Sequence, residues 1–179
     1  MRIAVLFKEV PDTYGERELN LETGLAVRTG DNVADEAVER AVEAALTIAE
    51  ATGGEVELLS VAPASADASI RKGIAMGAEN AHIVSDDALI GADFTLTAEV
   101  LAALVRREEY DLVVAGNVSS DGAGGVIPTM VAELLDWPAL TNLTKVEVAG
   151  STVTATRASD GATMELSAEL PAVISVTDA

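Results

Sequence analysis

Short, nearly unbroken apolar runs alternate along this chain with longer stretches whose apolar residues recur every three or four positions. Arg2–Phe7, Glu55–Val61, Ala81–Val84 and Asp111–Ala115 are of the first kind, and their lack of a polar-facing alternation predicts strands buried on both faces. Between them the spacing predicts helices over Val33–Thr52, Ala66–Met76, Ala92–Glu108 and Val126–Leu135. In the first helix, Ala34, Val38, Ala41, Val42, Ala45, Ile48 and Ala49 make one stripe, with Asp31 or Asn32 as N-cap and Gly53-Gly54 as stop. Repeated strand-helix-strand units require right-handed crossovers and a parallel sheet covered on both faces. The predicted class is α/β, a three-layer α/β/α Rossmann-like parallel sheet.

After Pro138 the pattern changes. Leu143–Val148 and Thr152–Thr156 flank Ala149-Gly150-Ser151 and predict a hairpin, Thr163–Ser167 follows the turn Ser159-Asp160-Gly161, and Leu170–Val176 predicts a final strand. The chain is expected to be one domain, with a parallel core over 1–138 and an antiparallel hairpin extension plus last strand over 139–179. In so small an appendage Leu143, Val146, Val148, Val173 and Ile174 are expected to leave an exposed apolar patch, favouring a homodimer or a partner chain.

Composition narrows the chemistry. With 179 residues the chain suffices for one well-cored domain, and its single histidine and lack of cysteine exclude thiol catalysis, disulfide frameworks and multi-histidine metal sites. Thirty acidic against eleven basic residues give a net charge of -19, yet 49% of residues are hydrophobic, so the chain is folded and very acidic. Such a surface is expected of a halophile, where salt screens the self-repulsion. A basic stripe for nucleic acid is missing, as is any apolar run long enough for membrane insertion, and Met1–Lys8 reads as a strand followed by a charge and not as a leader, so the protein is expected in the cytoplasm.

Gly116–Val126 carries the most specific signal. A buried strand that runs into a glycine-rich loop and then a helix directs unpaired backbone N–H groups at one point, an anion cradle. Gly122, Gly124 and Gly125 are expected to let the main chain turn and approach a phosphate, with Asp121 accepting from a ribose hydroxyl or from the loop's own amides. The glycine spacing fits neither the dinucleotide fingerprint nor a Walker loop, and plain turn chemistry is the competing reading. Elsewhere the ordinary readings lead: Lys8 as a solvated lysine at a strand end, His82 as a partly buried ring, Trp137 as an anchor for the hairpin extension, Glu133 and Asp136 as surface charges. No nucleophile-base pair is evident in the sequence.

Five ordered pieces then carry a resemblance: Val5–Asp12, Asp31–Val38, Arg71–Ala78, the Gly116–Val126 loop leading to Met130–Pro138, and Leu170–Val173. Together the set resembles the beta subunit of electron transfer flavoprotein, of the adenine nucleotide alpha-hydrolase-like superfamily. The resemblance implies an alpha subunit that carries the redox FAD, a beta subunit that holds AMP or, in bifurcating members, a second FAD, and electron flow from acyl-CoA or other dehydrogenases to a quinone reductase. Carried over by position, the nucleotide pocket falls on Leu6, Asp31, Asn32, Val33, Ala34 and Val61, and on Gly116, Asn117, Asp121, Gly122, Ala123, Gly124, Gly125, Val126 and Ile127. Ala123, Gly124, Val126 and Ile127 stand where the family's loops are usually polar, leaving phosphate contacts to backbone amides, and Asp31 stands where Asn is usual. The family's dehydrogenase-docking loop and arm would follow Leu170–Val173, so a short paralogue or truncated form is expected. A universal-stress-type nucleotide-binding protein and a scaffold without nucleotide are the alternatives, whereas an ATP-pyrophosphatase would need a Ser-Gly-Gly loop where Lys8–Asp12 stands.

Overall fold

The computed structural model describes residues 1–28 and 30–177. Its strands are β1 (Arg2–Leu6), β2 (Glu9–Pro11), β3 (Asn32–Ala34), β4 (Glu55–Val61), β5 (Asn80–Val84), β6 (Leu112–Gly116), β7 (Ala139–Leu143), β8 (Lys145–Ala149), β9 (Thr152–Ser159), β10 (Ala162–Glu169) and β11 (Ala172–Val176). The α-helices are α1 (Glu36–Thr52), α2 (Asp67–Met76), α3 (Phe94–Glu108) and α4 (Ile127–Leu135). A six-stranded sheet in the order β5-β4-β1-β6-β11-β7 is parallel throughout.

Alternation within each strand explains why the apolar runs are unbroken. Ile3 and Val5 of β1, with Leu112 and Val114 of β6, face α1 and α2, whereas Ala4, Leu6, Val113 and Ala115 face α3 and α4. Both sets are buried, and each large side chain so buried contributes about 1.5–3 kcal/mol. The result is the expected three-layer arrangement.

Several boundaries differ from the sequence expectation. The first helix begins at Glu36, not Val33, because the Asp35 carboxylate caps it by accepting from Ala37 N at 3.0 Å. Asn32–Ala34 instead pairs antiparallel with Glu9–Pro11. Ala139–Leu143 is an additional parallel edge strand beside β11, so two strands of the central sheet come from beyond Pro138. The chain then switches sheets at Thr144, which divides the expected Leu143–Val148 strand, and β8, β9 and β10 form a three-stranded antiparallel sheet.

The expected apolar patch on the extension is absent at the residues named for it. Leu143, Val173 and Ile174 are fully buried, and Val146 and Val148 pack against the same core as Val153, Ala155 and α1. The antiparallel sheet covers this face next to α1, which leaves little to expose.

Candidate functional site

The strand order places a switch point between β1 and β6. The chain leads from β1 to α1 on one face of the sheet, whereas β6 leads to α4 on the other, so their carboxyl ends open a crevice where α/β sheets bind ligands. Leu6 and Val61 end the neighbouring strands β1 and β4 there, joined by Phe7 N–Leu59 O at 2.8 Å.

Gly116 starts the loop where only glycine fits. A Cβ would lie 2.7 Å from Ala37 Cβ and 2.8 Å from the Ala37 carbonyl, so strand end and helix start touch backbone to backbone. Asn117 N donates to Val176 O at 3.0 Å, and Ser120 donates from N and Oγ to Asp35 Oδ2 at 2.8 and 3.2 Å. Asp35, 2% exposed, therefore caps α1 with one oxygen and holds the loop with the other.

Further along, Ala123 (φ 49°) and Gly125 (φ 63°) are left-handed and turn the chain into α4. Among the described residues no acceptor bonds the amides of Gly124, Gly125 and Val126, and α4 has no side-chain cap, its first turn holding Pro128. Three free N–H groups at the positive end of a helix form an arrangement suited to an anion. The glycines are not equivalent. Gly125 needs its left-handed backbone, Gly124 is fixed by the Phe94 ring, whose Cζ would lie 2.4 Å from a Cβ, and Gly122 meets nothing closer than Ser119 Oγ at 3.5 Å. The expected role of Gly122 in the turn is thus not seen.

Asp121 takes neither a free nor a merely local role. Its oxygens accept from Lys8 Nζ and Arg28 Nη2, both at 2.6 Å, and from Gly122 N at 2.6 Å. Burial raises its pKa, but the hydrogen bonds from Lys8 and Arg28 outweigh this and hold the carboxyl well below its usual range. Lys8, expected to be solvated, also donates to Ser119 Oγ at 3.2 Å. Lys8, Arg28, Asp35 and Ser120 were not among the expected site residues. A cap at Asp35 was readable from its place before an amphipathic run; ion pairs spanning 93 and 113 residues leave no such local signal.

The second expected segment is split by the β3 alternation. Ala34 is buried in the core and Asn32 shares its inward side, while Val33 points out and Asp31 is exposed. Asn32 Nδ2 donates to Arg28 O at 3.2 Å, which fixes the amide and leaves Oδ1 buried without a partner. Asp31 lines a separate cleft of about 380 Å3 with Pro11, Asp12, Tyr14, Glu16 and Glu18, to which the loop contributes nothing. Val126 is partly exposed and Ile127 packs against the α3/α4 core.

The ordinary readings hold for His82, half-buried with Nε2 3.4 Å from Glu57 Oε2, and for Glu133 and Asp136, both exposed. Trp137 differs. It packs on the α3/α4 side and borders the extension only along a groove of about 580 Å3 with Ser167–Pro171. Among the described residues no cluster of three or more His, Asp or Glu is suited to a metal, and no helix is long and apolar enough to cross a membrane.

Fold and crevice together define a doubly wound α/β domain with a glycine-rich loop at its switch point. Residues 23–179 match the electron transfer flavoprotein domain. The chain belongs to the electron transfer flavoprotein family, and its similarity is to the beta subunits. It is 44% identical to the electron transfer flavoprotein subunit beta of Mycobacterium tuberculosis over 98% of this chain and 69% of that protein. The corresponding subunit of Mycobacterium leprae is 43% identical over the same shares, and that of Bacillus subtilis 31% identical over 97% of this chain and 68% of that protein.

Proposed function

We propose that the chain is an electron transfer flavoprotein beta subunit that holds an adenine nucleotide, AMP or a second FAD, in the crevice at the ends of β1, β4 and β6. The observation that carries this reading is the set of free amides at Gly124, Gly125 and Val126 at the start of α4. Those amides suit a phosphate, and the apolar side chains Ala123, Val126 and Ile127 take no part in holding it. The buried, unpartnered Asn32 Oδ1 requires a donor, which the amine of an adenine or a ribose hydroxyl supplies and a phosphate does not. Leu6 and Val61, at the ends of β1 and β4, lie beneath the ligand in this reading. In this reading Asp121 positions the loop through Lys8, Arg28 and the Gly122 amide and does not touch the sugar.

The partner in this reading is an alpha subunit whose FAD supplies the redox chemistry, with electrons arriving from acyl-CoA or other dehydrogenases and leaving to a quinone reductase in the cytoplasm. This chain's own residues bind and orient; they form no bonds with substrate. Mass spectrometry of the small molecules released by heating the purified protein tests the nucleotide, with AMP or FAD expected. Their absence, together with no heat of binding on titrating AMP, leaves the scaffold reading in its place. Co-expression with an alpha subunit is expected to yield a stable heterodimer.

A further inference from the structure

We infer that residues 12–28, with 30 and 31, form a lid over the crevice, latched shut by Asp121. This rests on the nucleotide reading for what the lid encloses, though not for its existence. The segment leaves the sheet between β2 and β3, whose short antiparallel pairing, with Asp12 N–Asp31 O at 2.9 Å beside it, gives it a two-stranded base. Beyond that base it has almost no core. Residues 13–26 are all exposed, and Tyr14 and Leu21 are about as open as in an extended chain, at 98% and 99%. Such a segment keeps a fixed position only through what it touches.

What it touches is the rim of the crevice. Arg17 Nη1 donates to Ser120 O at 2.7 Å and Arg28 Nη2 to Asp121 Oδ2 at 2.6 Å, both on the loop after β6. Leu25 lies against Gly91, in the connection after β5, where a Cβ would come within 3.2 Å of Leu25 Cδ2. The segment therefore spans from the end of β1 to the connections after β5 and β6, all at the carboxyl edge of the sheet. Arg17 and Arg28 are its only basic residues, and both are turned onto the loop. Asp121 is the shared element, since its other oxygen holds Lys8 at the lid's root. The two cations stay about 40% exposed, at 44% and 42%, so each pair is weak and the closed state is readily reversed. A loop ordered by these contacts presents its amides to the ligand only while the lid is down, which ties ligand escape to opening of the latch.

Trypsin reads the latch directly, because both strap arginines are cleavage sites. In Asp121→Asn the cut after Arg17 or Arg28 should come about five- to tenfold sooner than in the parent, the population change expected on losing two exposed ion pairs. Cleavage at Arg106 and Arg107 on α3, an internal control for unfolding, should not change. Arg28→Gln, which leaves Lys8–Asp121 intact, should give a smaller acceleration at Arg17. Equal cleavage in parent and Asp121→Asn overturns the latch. The second measurement is release of bound AMP into excess competitor: Asp121→Asn should release it several-fold faster, and an unchanged rate with accelerated cleavage overturns the lid while sparing the nucleotide reading. Failure of the parent to bind AMP overturns the nucleotide reading, and the trypsin result still decides the latch.

Discussion

A carboxylate anchors a polar cluster at each end of the central sheet, and the two clusters are built differently. Toward the amino end, Glu57 Oε2 accepts from Arg2 Nη2 at 2.9 Å and Tyr110 Oη at 2.5 Å, with His82 Nε2 at 3.4 Å, and the Arg2 guanidinium lies 4.9 Å from the Tyr110 ring centroid. Every partner there stands on, or one or two residues from, a strand of the sheet. At the carboxyl end, Asp121 and all its partners stand on connections. The first cluster ties β1, β4, β5 and β6 to one another and serves stability. The second ties loops to loops, where a change in the contacts moves a segment and leaves the sheet intact.

The sharpest test of this contrast is Glu57→Leu. It strips the Tyr110 hydroxyl of its acceptor and leaves the Arg2 guanidinium with only the Glu108 carbonyl, in a half-buried setting, at an expected cost of about 2–3 kcal/mol in urea unfolding. Next comes Gly116→Ala, whose Cβ would meet the Ala37 backbone and force α1 outward, costing about 1–3 kcal/mol by the same measurement. Asp121→Asn, by contrast, should lower stability by less than about 1 kcal/mol, because its cations are half in solvent, and about 1 M KCl should narrow even that difference. A larger loss would mean the carboxyl-end cluster carries the fold as well.

Acid unfolding separates the two ends by a smaller effect. Burial pushes the Glu57 pKa up, yet the Tyr110 hydrogen bond and the charge of Arg2 together bring it below the usual 4.5, and Asp121 is likewise held below 3.8. A carboxyl depressed in the folded state contributes stability that is fully present above its unfolded pKa and is lost as pH falls through the folded value. Stability should therefore be level above about pH 5 and fall below it, with a shallower fall in Glu57→Gln than in the parent. An identical slope for the two proteins would remove Glu57 from the account. The smallest change is expected at Gly122→Ala, within about 0.5 kcal/mol, since neither backbone nor neighbours demand glycine there.

What the sequence disclosed follows the same division. Strands buried on both faces announce themselves as unbroken apolar runs, so β1, β4, β6 and β11 were readable nearly to their ends, whereas Ala81–Val84, expected to be buried on both faces, is the edge strand β5, with Ile83 exposed. β7 was not, because Leu143 continues into the alternating Lys145–Ala149 and nothing at Thr144 signals that the chain leaves one sheet for another. The loop's backbone shape was legible in its glycines only in part: Ala123 adopts a left-handed conformation without being glycine, and Gly124 answers to Phe94, thirty residues earlier in the chain. The Asp35 clamp, the Lys8 and Arg28 pairs and the buried face of Asn32 depend on tertiary neighbours, and periodicity carries no information about those.

β11 lies between β6 and β7, and this insertion has a consequence for synthesis. β7 is translated before the whole antiparallel sheet, and within the central sheet its only hydrogen-bonding neighbour is β11, which emerges after that sheet. In order of synthesis, β7 therefore lacks its ladder partner until the strands from β8 to β10 have been made. The exposed flank of β6 waits with it, since β11 also supplies its second ladder. Both ladders of Ala172–Val176 therefore close across long stretches of chain, about 60 residues back to β6 and about 33 to β7, the kind of non-local pairing that is slow to form.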